Sequence, residues 1–138
     1  MADSSNIRII EATWTGELRF EGGAPGGPRI LIDGDNATSP GPMLTLLLAA
    51  ASCTGADIVS ILKKMQVDLA RCEVKATGER ATDHPRRYRK LHFEWTITGA
   101  GLTEAKARRA IELSIEKYCS VLHTLNPDIP VSYDLHLG

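Results

Sequence analysis

The segment from Pro42 to Met65 constrains the fold more than any other part of the sequence, because it is apolar almost all round a helix. Pro42 suits the first turn of a helix, where its missing N–H has no partner to lose. Such a helix must be covered over most of its surface, so we expect it to lie against a sheet or a partner subunit. Polar residues such as Asp57 and the Lys63–Lys64 pair interrupt it, and we expect it to fall short of a membrane span, which needs ~20 mostly apolar residues.

Alternating apolar and polar side chains predict strands on both sides of this helix. Two short strands fit Ile10 to Phe20, with a turn or bulge at Gly16. A glycine- and proline-rich loop follows, and Arg29–Asp33 then has the pattern of a third strand. After the helix, the alternation runs through residues 71–77 and again through 90–97, with a hairpin connection between them.

A second helix and a closing strand complete the chain. Thr103 suits the N-cap of a helix whose apolar stripe continues until Asn126–Pro127 ends it. The alternation from Val131 to Leu137 predicts the last strand. The order βββ-α-ββ-α-β, with antiparallel hairpins and segregated helices, predicts an α+β class and a single domain over residues 1–138.

The charge balance argues against nucleic acid and anionic membranes as partners. Lys plus Arg number 16 against 17 Asp plus Glu, a formal net charge of −1, so the strong positive field that those partners need is missing. The basic cluster Arg86–Lys90 lies in the predicted hairpin connection and favours a solvated turn. The N-terminus has no cationic stretch followed by an apolar core, and we therefore expect a cytoplasmic protein.

The three cysteines and four histidines show no spacing typical of a zinc site or a secreted disulfide framework, so we expect no metal and no organic cofactor. Cys72 alternates with apolar residues on one strand face, which favours a structural role. Cys53 lies among very small residues that let a backbone, a partner helix or a substrate approach it, but a packed core cysteine fits equally well. Cys119 lies where the exposed face of the second helix gives way to a buried end.

Two segments taken together resemble a known family. The apolar helix that leads from Pro42 to Cys53, and the segment Glu116–Val121 that carries Cys119, are similar to the paired cysteine motifs of the OsmC/Ohr family (osmotically inducible protein C and organic hydroperoxide resistance protein), especially its YhfA-like branch. The resemblance implies antiparallel sheets around a buried central helix in an intertwined homodimer. It also implies reduction of organic hydroperoxides, with Cys53 as the attacking cysteine and Cys119 as the resolving one. An external thiol or dithiol then restores the reduced state.

The site differs from the peroxidase members of that family at two positions. Met43 stands where those members carry the glutamate of an Asn-Pro-Glu motif, and Ser120 replaces the proline of Cys-Pro-Val. The family's active-site arginine comes from the N-terminal strands, where we favour Arg19 over Arg29. Asp57 is predicted to share the helix face of Cys53, where an unpaired carboxylate would disfavour the thiolate.

Three classes of function stay open at this point. The first is a cysteine-based hydroperoxide reductase. The second is a redox-responsive protein that holds a small molecule near Cys53 without turnover, which the replacement at Met43 favours. The third is a structural or interaction dimer with inert thiols.

Overall fold

A computed structural model describes residues 4–138 of the chain, which form two compact units, one ending at Leu46 and the other spanning Leu47–Gly138. The α+β class and the predicted order of strands and helices are confirmed, whereas the single domain stays a prediction. After a short 3-10 turn at Ser4–Asn6, the elements are β1 (Glu11–Gly16), β2 (Arg19–Gly23), β3 (Ile30–Asp33), α1 (Pro42–Lys64), β4 (Asp68–Arg80), β5 (Tyr88–Ala100), α2 (Glu104–Leu113), a π turn (Ser114–Tyr118), α3 (Ser120–Thr124) and β6 (Val131–His136).

The first unit contains the antiparallel sheet β1-β2-β3. The predicted irregularity at Gly16 is present, because its φ of 120° lies in the region that favours glycine and the register shifts beside it. At the end of β3 the buried Asp33 carboxylate accepts hydrogen bonds from the backbone N–H groups of Thr38, Asp35 and Ala37. These bonds, that from Thr38 foremost, hold the pKa of Asp33 at about 2. They also order the loop that leads into α1.

The second unit contains the sheet β4-β5-β6, and its last strand differs from the sequence prediction. Strands β4 and β5 are antiparallel as expected, but β6 pairs with β5 in parallel, so the expectation of purely antiparallel sheets is wrong for this pair. A parallel pair needs a long crossover connection, and residues 101–130 supply it with α2, the π turn and α3. The central strand β5 buries one face completely, through Leu91, Phe93, Trp95 and Ile97.

Helix α1 is buried along one stripe rather than all round. The buried residues of its Leu47–Lys64 part recur at helical spacing: Leu47, Ala50, Ala51, Thr54, Ile58 and Leu62. Gly55 allows a close approach, since a Cβ there would lie 3.5 Å from Trp95 Cη2 of β5. The opposite side of the helix exposes Leu48 and Val59 in the single chain. Among the described residues of the second unit, the covering that the sequence predicts for this helix is therefore incomplete.

The expectation that α1 falls short of a membrane span is wrong as an argument from composition. The helix has 23 residues and is long and apolar enough to cross a membrane by length and composition alone. The helix packs against β5 at Gly55, however, and its buried stripe carries the polar side chain of Thr54. Helix α1 thus has the contacts of a core helix within the second unit.

The helix expected between Thr103 and Asn126 is broken. Its beginning is confirmed, because the Thr103 hydroxyl accepts a hydrogen bond from Lys106 N at 3.2 Å. After α2 the chain widens into the π turn, and Cys119 then adopts an extended conformation with φ −71° and ψ 101°. A new short helix, α3, starts directly after Cys119.

Arg80 and two arginines of the basic cluster Arg86–Lys90 stabilise the hairpin between β4 and β5. Arg80 Nε donates to the carbonyl of Arg86, Arg86 Nε donates to the carbonyl of Ala81, and Arg87 pairs with Asp128. The only aromatic residue of the cluster, Tyr88, is buried. These contacts give two arginines of the cluster, Arg86 and Arg87, a structural role, and the cluster has no exposed ring for base stacking.

Candidate functional site

The break in the helix places Cys119 at the N-cap of α3. Cys119 N donates to the carbonyl of Ser114 at 2.8 Å, which closes the π turn. The Cys119 sulfur in turn accepts a hydrogen bond from Leu122 N at 3.4 Å. The backbone on both sides of the cysteine is therefore fixed by local hydrogen bonds, and the side chain is completely buried.

Helix α1 binds this turn at two points through polar side chains. Thr54 Oγ1 donates to the sulfur of Cys119 at 3.4 Å, and Ser114 Oγ donates to the Asp57 carboxylate at 2.8 Å. Thr54 and Asp57 are three residues apart and so lie on one face of the helix. The sequence prediction left open an unpaired carboxylate at position 57, and the hydrogen bond from Ser114 shows that it has a partner.

Cys53 and Cys119 lie next to each other. Burial raises the pKa of Cys119, and the neighbouring Cys53 side chain raises it further through hydrogen bonding and charge. The hydrogen bonds from Thr54 and Leu122 act in the opposite direction. Both cysteines are free thiols, Cys53 half-exposed and Cys119 buried. Reagents in solution can therefore reach the Cys53 thiol, whereas the Cys119 thiol is shielded from solvent and lies beside Cys53.

Cys72 is separate from this pair. It lies on β4 opposite Ile97, half-buried on the face that the strand turns toward the core, and burial raises the pKa of its thiol. Among residues 4–138 no hydrogen bond or charge interaction links it to the other two cysteines. Its position fits the structural role that the alternation predicted.

The two candidate arginines differ in how they are engaged within the first unit. Arg29 forms an ion pair with Glu21 at 3.2 Å and also donates to the Glu21 carbonyl at 3.0 Å. The Arg19 guanidinium makes no ion pair with any residue in the described part of the chain. The role of Arg19 stays a prediction, but of the two it is the cation without a carboxylate partner there.

Sequence reasoning missed Thr54 and Ser114, although a signal for both was present. Thr54 falls in the buried stripe of α1, and Ser114 continues the apolar stripe of α2. A polar group in a buried stripe needs a hydrogen-bonding partner, so each of them pointed to a contact with another element. Across residues 4–138, no three His, Cys, Asp or Glu side chains are grouped so that they could hold a metal ion.

The fold and the site together define an α+β protein with paired cysteines, one on the core helix and one in the crossover to the last strand. A family model described as OsmC-like protein matches residues 34–134, and the chain belongs to this family. It is 39% identical over 121 residues to Protein YhfA of Escherichia coli (strain K12), which covers 87% of this chain and 90% of YhfA.

Solved structures agree with this assignment. A crystal structure of a hypothetical protein from Aquifex aeolicus VF5 has 26% identity and a TM-score of 0.81, over 94% of this chain and 96% of that one. An organic hydroperoxide resistance protein OsmC from Legionella pneumophila has 13% identity and a TM-score of 0.67, over 98% of this chain and 100% of that one. The second likeness is one of fold alone.

Proposed function

We propose that the protein is a cysteine-based reductase of organic hydroperoxides that uses Cys53 and Cys119. The observation that carries the proposal is the pairing of a half-exposed thiol with a buried one. In this proposal a peroxide reaches the half-exposed Cys53 first, and the neighbouring Cys119 then attacks the oxidised Cys53. Its fold likeness to hydroperoxide resistance proteins supports the same chemistry.

The proposed reaction takes place in three steps. The Cys53 thiolate attacks the outer oxygen of the hydroperoxide, the O–O bond breaks, and the alkoxide takes up a proton and leaves as the alcohol. Cys53 is then a sulfenic acid, and the Cys119 thiolate attacks its sulfur, forming a disulfide as hydroxide leaves and becomes water. An external thiol or dithiol supplies two electrons that restore both thiols and is itself oxidised to a disulfide.

Arg19 is proposed as the cation that favours the Cys53 thiolate. Arg19 fits this role better than Arg29, because the Arg29 guanidinium forms an ion pair with Glu21. Met43 leaves the site without the family glutamate, so we expect turnover slower than in family peroxidases that carry it. The presence of three free thiols fits a reducing, cytoplasmic location, which we also propose.

A homodimer is part of the proposal. The single chain exposes large apolar side chains on the outer side of α1 and on β1 and β2, among them Leu48, Val59, Trp14 and Phe20. Exposed apolar surface of this kind is typical of a protein interface. Size-exclusion chromatography with light scattering tests it, and a mass near the 15.0 kDa of one chain at micromolar concentration would contradict it.

The activity is tested by following the loss of cumene or tert-butyl hydroperoxide with a dithiol as reductant. Cys53→Ser should abolish consumption, and Cys72→Ser should leave it unchanged. Cys119→Ser should prevent the internal disulfide but keep some turnover, because a dithiol can also attack the Cys53 sulfenic acid directly. Peptide mapping after oxidation should find Cys53 joined to Cys119 and Cys72 reduced. Full activity in Cys53→Ser would refute the proposal.

The second candidate is a redox-responsive protein that binds a small molecule near Cys53. The observation in its favour is Met43, which replaces the acid of the peroxidase motif. This candidate predicts no peroxide loss above the rate of a cysteine-free variant, together with a ligand-dependent change in the alkylation rate of Cys53.

A further inference from the structure

Two polar residues of α1 close to Cys53, Thr54 and Asp57, hold the segment that carries Cys119. Thr54 follows Cys53 directly, is completely buried, and donates its hydroxyl proton to the sulfur of Cys119 at 3.4 Å. One turn further along, Asp57 accepts from the Ser114 hydroxyl at 2.8 Å. The two residues therefore bind the two ends of the π turn, which is itself closed by the bond from Cys119 N to Ser114 O.

We propose that Thr54 is a positioning residue that fixes the sulfur of Cys119 for attack on Cys53, and that Asp57 anchors the π turn that carries it. This inference rests on the proposed function for its biological purpose but not for its test. The sulfur of Cys119 accepts one hydrogen bond from the Thr54 hydroxyl of α1 and another from the Leu122 N–H of α3. Together the two bonds restrict the rotamer of Cys119. Since Thr54 adjoins Cys53 in the chain, the element that carries the attacking cysteine also orients the resolving one.

Hydrogen bonds orient the buried sulfur of Cys119 more sharply than packing alone does. Apolar packing around a sulfur is non-directional, whereas a hydrogen bond weakens steeply with angle. A hydroxyl that donates to the sulfur also favours its thiolate, the form that attacks. Loss of the Thr54 hydroxyl should thus slow disulfide closure while leaving the first reaction of Cys53 unchanged.

The test uses 5,5′-dithiobis(2-nitrobenzoate) on the full chain carrying Cys72→Ser, so that Cys53 and Cys119 are the only thiols. Cys53 attacks the reagent and releases one thionitrobenzoate, leaving a mixed disulfide. Cys119 then attacks the Cys53 sulfur, the internal disulfide forms, and a second thionitrobenzoate leaves. Absorbance separates the two releases, and no peroxide is involved.

Thr54→Val has nearly the shape of threonine without its hydroxyl, and we expect it to slow the second release about tenfold with the first release unchanged. Thr54→Ser should restore the second release. The matched control is Ser52→Ala, which removes an exposed hydroxyl on the other side of Cys53. Among residues 4–138 this hydroxyl donates only to the Ala49 carbonyl, within α1. Ser52→Ala should behave like the parent in both releases.

If Thr54→Val does not fold, as judged by far-UV circular dichroism, Asp57→Ala tests the same arrangement and should also slow the second release, with Asp57→Asn closer to the parent. A second release within about twofold of the parent in a folded Thr54→Val or Asp57→Ala protein would overturn the inference, as would a parent that shows no second release. If the parent closes the disulfide and Thr54→Ser rescues Thr54→Val, but no hydroperoxide is consumed, the positioning role stands and the proposed function fails.

Discussion

Disulfide closure should depend steeply on pH because Cys119 must lose its proton before it attacks. Burial raises the pKa of Cys119 above its ordinary range, and this cause remains when Cys53 is held in a mixed disulfide. Even an ordinary thiol, with a pKa of about 8.5, is only about 3% thiolate at pH 7, so the reactive fraction of Cys119 is smaller still. Well below the pKa, that fraction grows about tenfold for each pH unit. We therefore expect the rate of closure to rise about a hundredfold between pH 6 and pH 8.

The second thionitrobenzoate release from the Cys72→Ser protein measures this rate directly. Each pH is approached from the same stock, and circular dichroism verifies that the protein stays folded over the interval. The mixed disulfide at Cys53 carries no thiol, so the pH dependence of the second release reports Cys119 alone. A rate that changes less than about threefold over the two pH units would refute the reasoning, since it would mean that proton loss from Cys119 does not limit closure.

Two further predictions concern stability. Because the folded pKa of Asp33 is about 2 and the usual value is about 3.9, its stabilisation is present above pH ~4 and is lost as the pH falls toward 2; urea midpoints should show this loss in the parent, and a variant Asp33→Asn with the same acid dependence would contradict it. Ile58→Ala removes a fully buried side chain and should lower the free energy of unfolding by about 2–5 kcal/mol. The control is Lys63→Ala, which changes an exposed residue of the same helix and should cost less than about 1 kcal/mol.

Local sequence signals predicted the parts of the fold that local physics decides. Helix α1 begins at Pro42 as expected and ends at Lys64, one residue before the predicted limit. The cap at Thr103 and the irregularity at Gly16 are also where the sequence placed them. In each case a single residue type has a conformational preference strong enough to act without tertiary contacts.

The break before Cys119 was not predictable in this way. No glycine or proline lies between Thr103 and Asn126, and the apolar stripe runs through the segment without a change of period. The break is accompanied by contacts to α1, from Ser114 to Asp57 and from Thr54 to Cys119, which join residues distant in sequence. Propensity gives way to tertiary contacts at such a position.

The direction of β6 was hidden for a different reason. Alternation shows which side chains of a strand share a face, but it is the same for parallel and antiparallel neighbours. The sequence therefore predicted Val131, Tyr133 and Leu135 as one face of a strand and could not give its orientation beside β5. The pairing of Cys53 with Cys119 came from resemblance to a family, not from any pattern in the residues themselves.

The adjacency of two cysteines that lie far apart in the chain has a thermodynamic consequence. A bond between Cys53 and Cys119 would close a loop of roughly 65 residues, which by chain entropy stabilises the oxidised fold over the reduced one by about 4 kcal/mol. By linkage, the same energy makes the disulfide harder to reduce, lowering its reduction potential by about 90 mV relative to an unconstrained dithiol. A monothiol such as glutathione would then regenerate the protein poorly, and a strongly reducing dithiol would be the fitting electron donor.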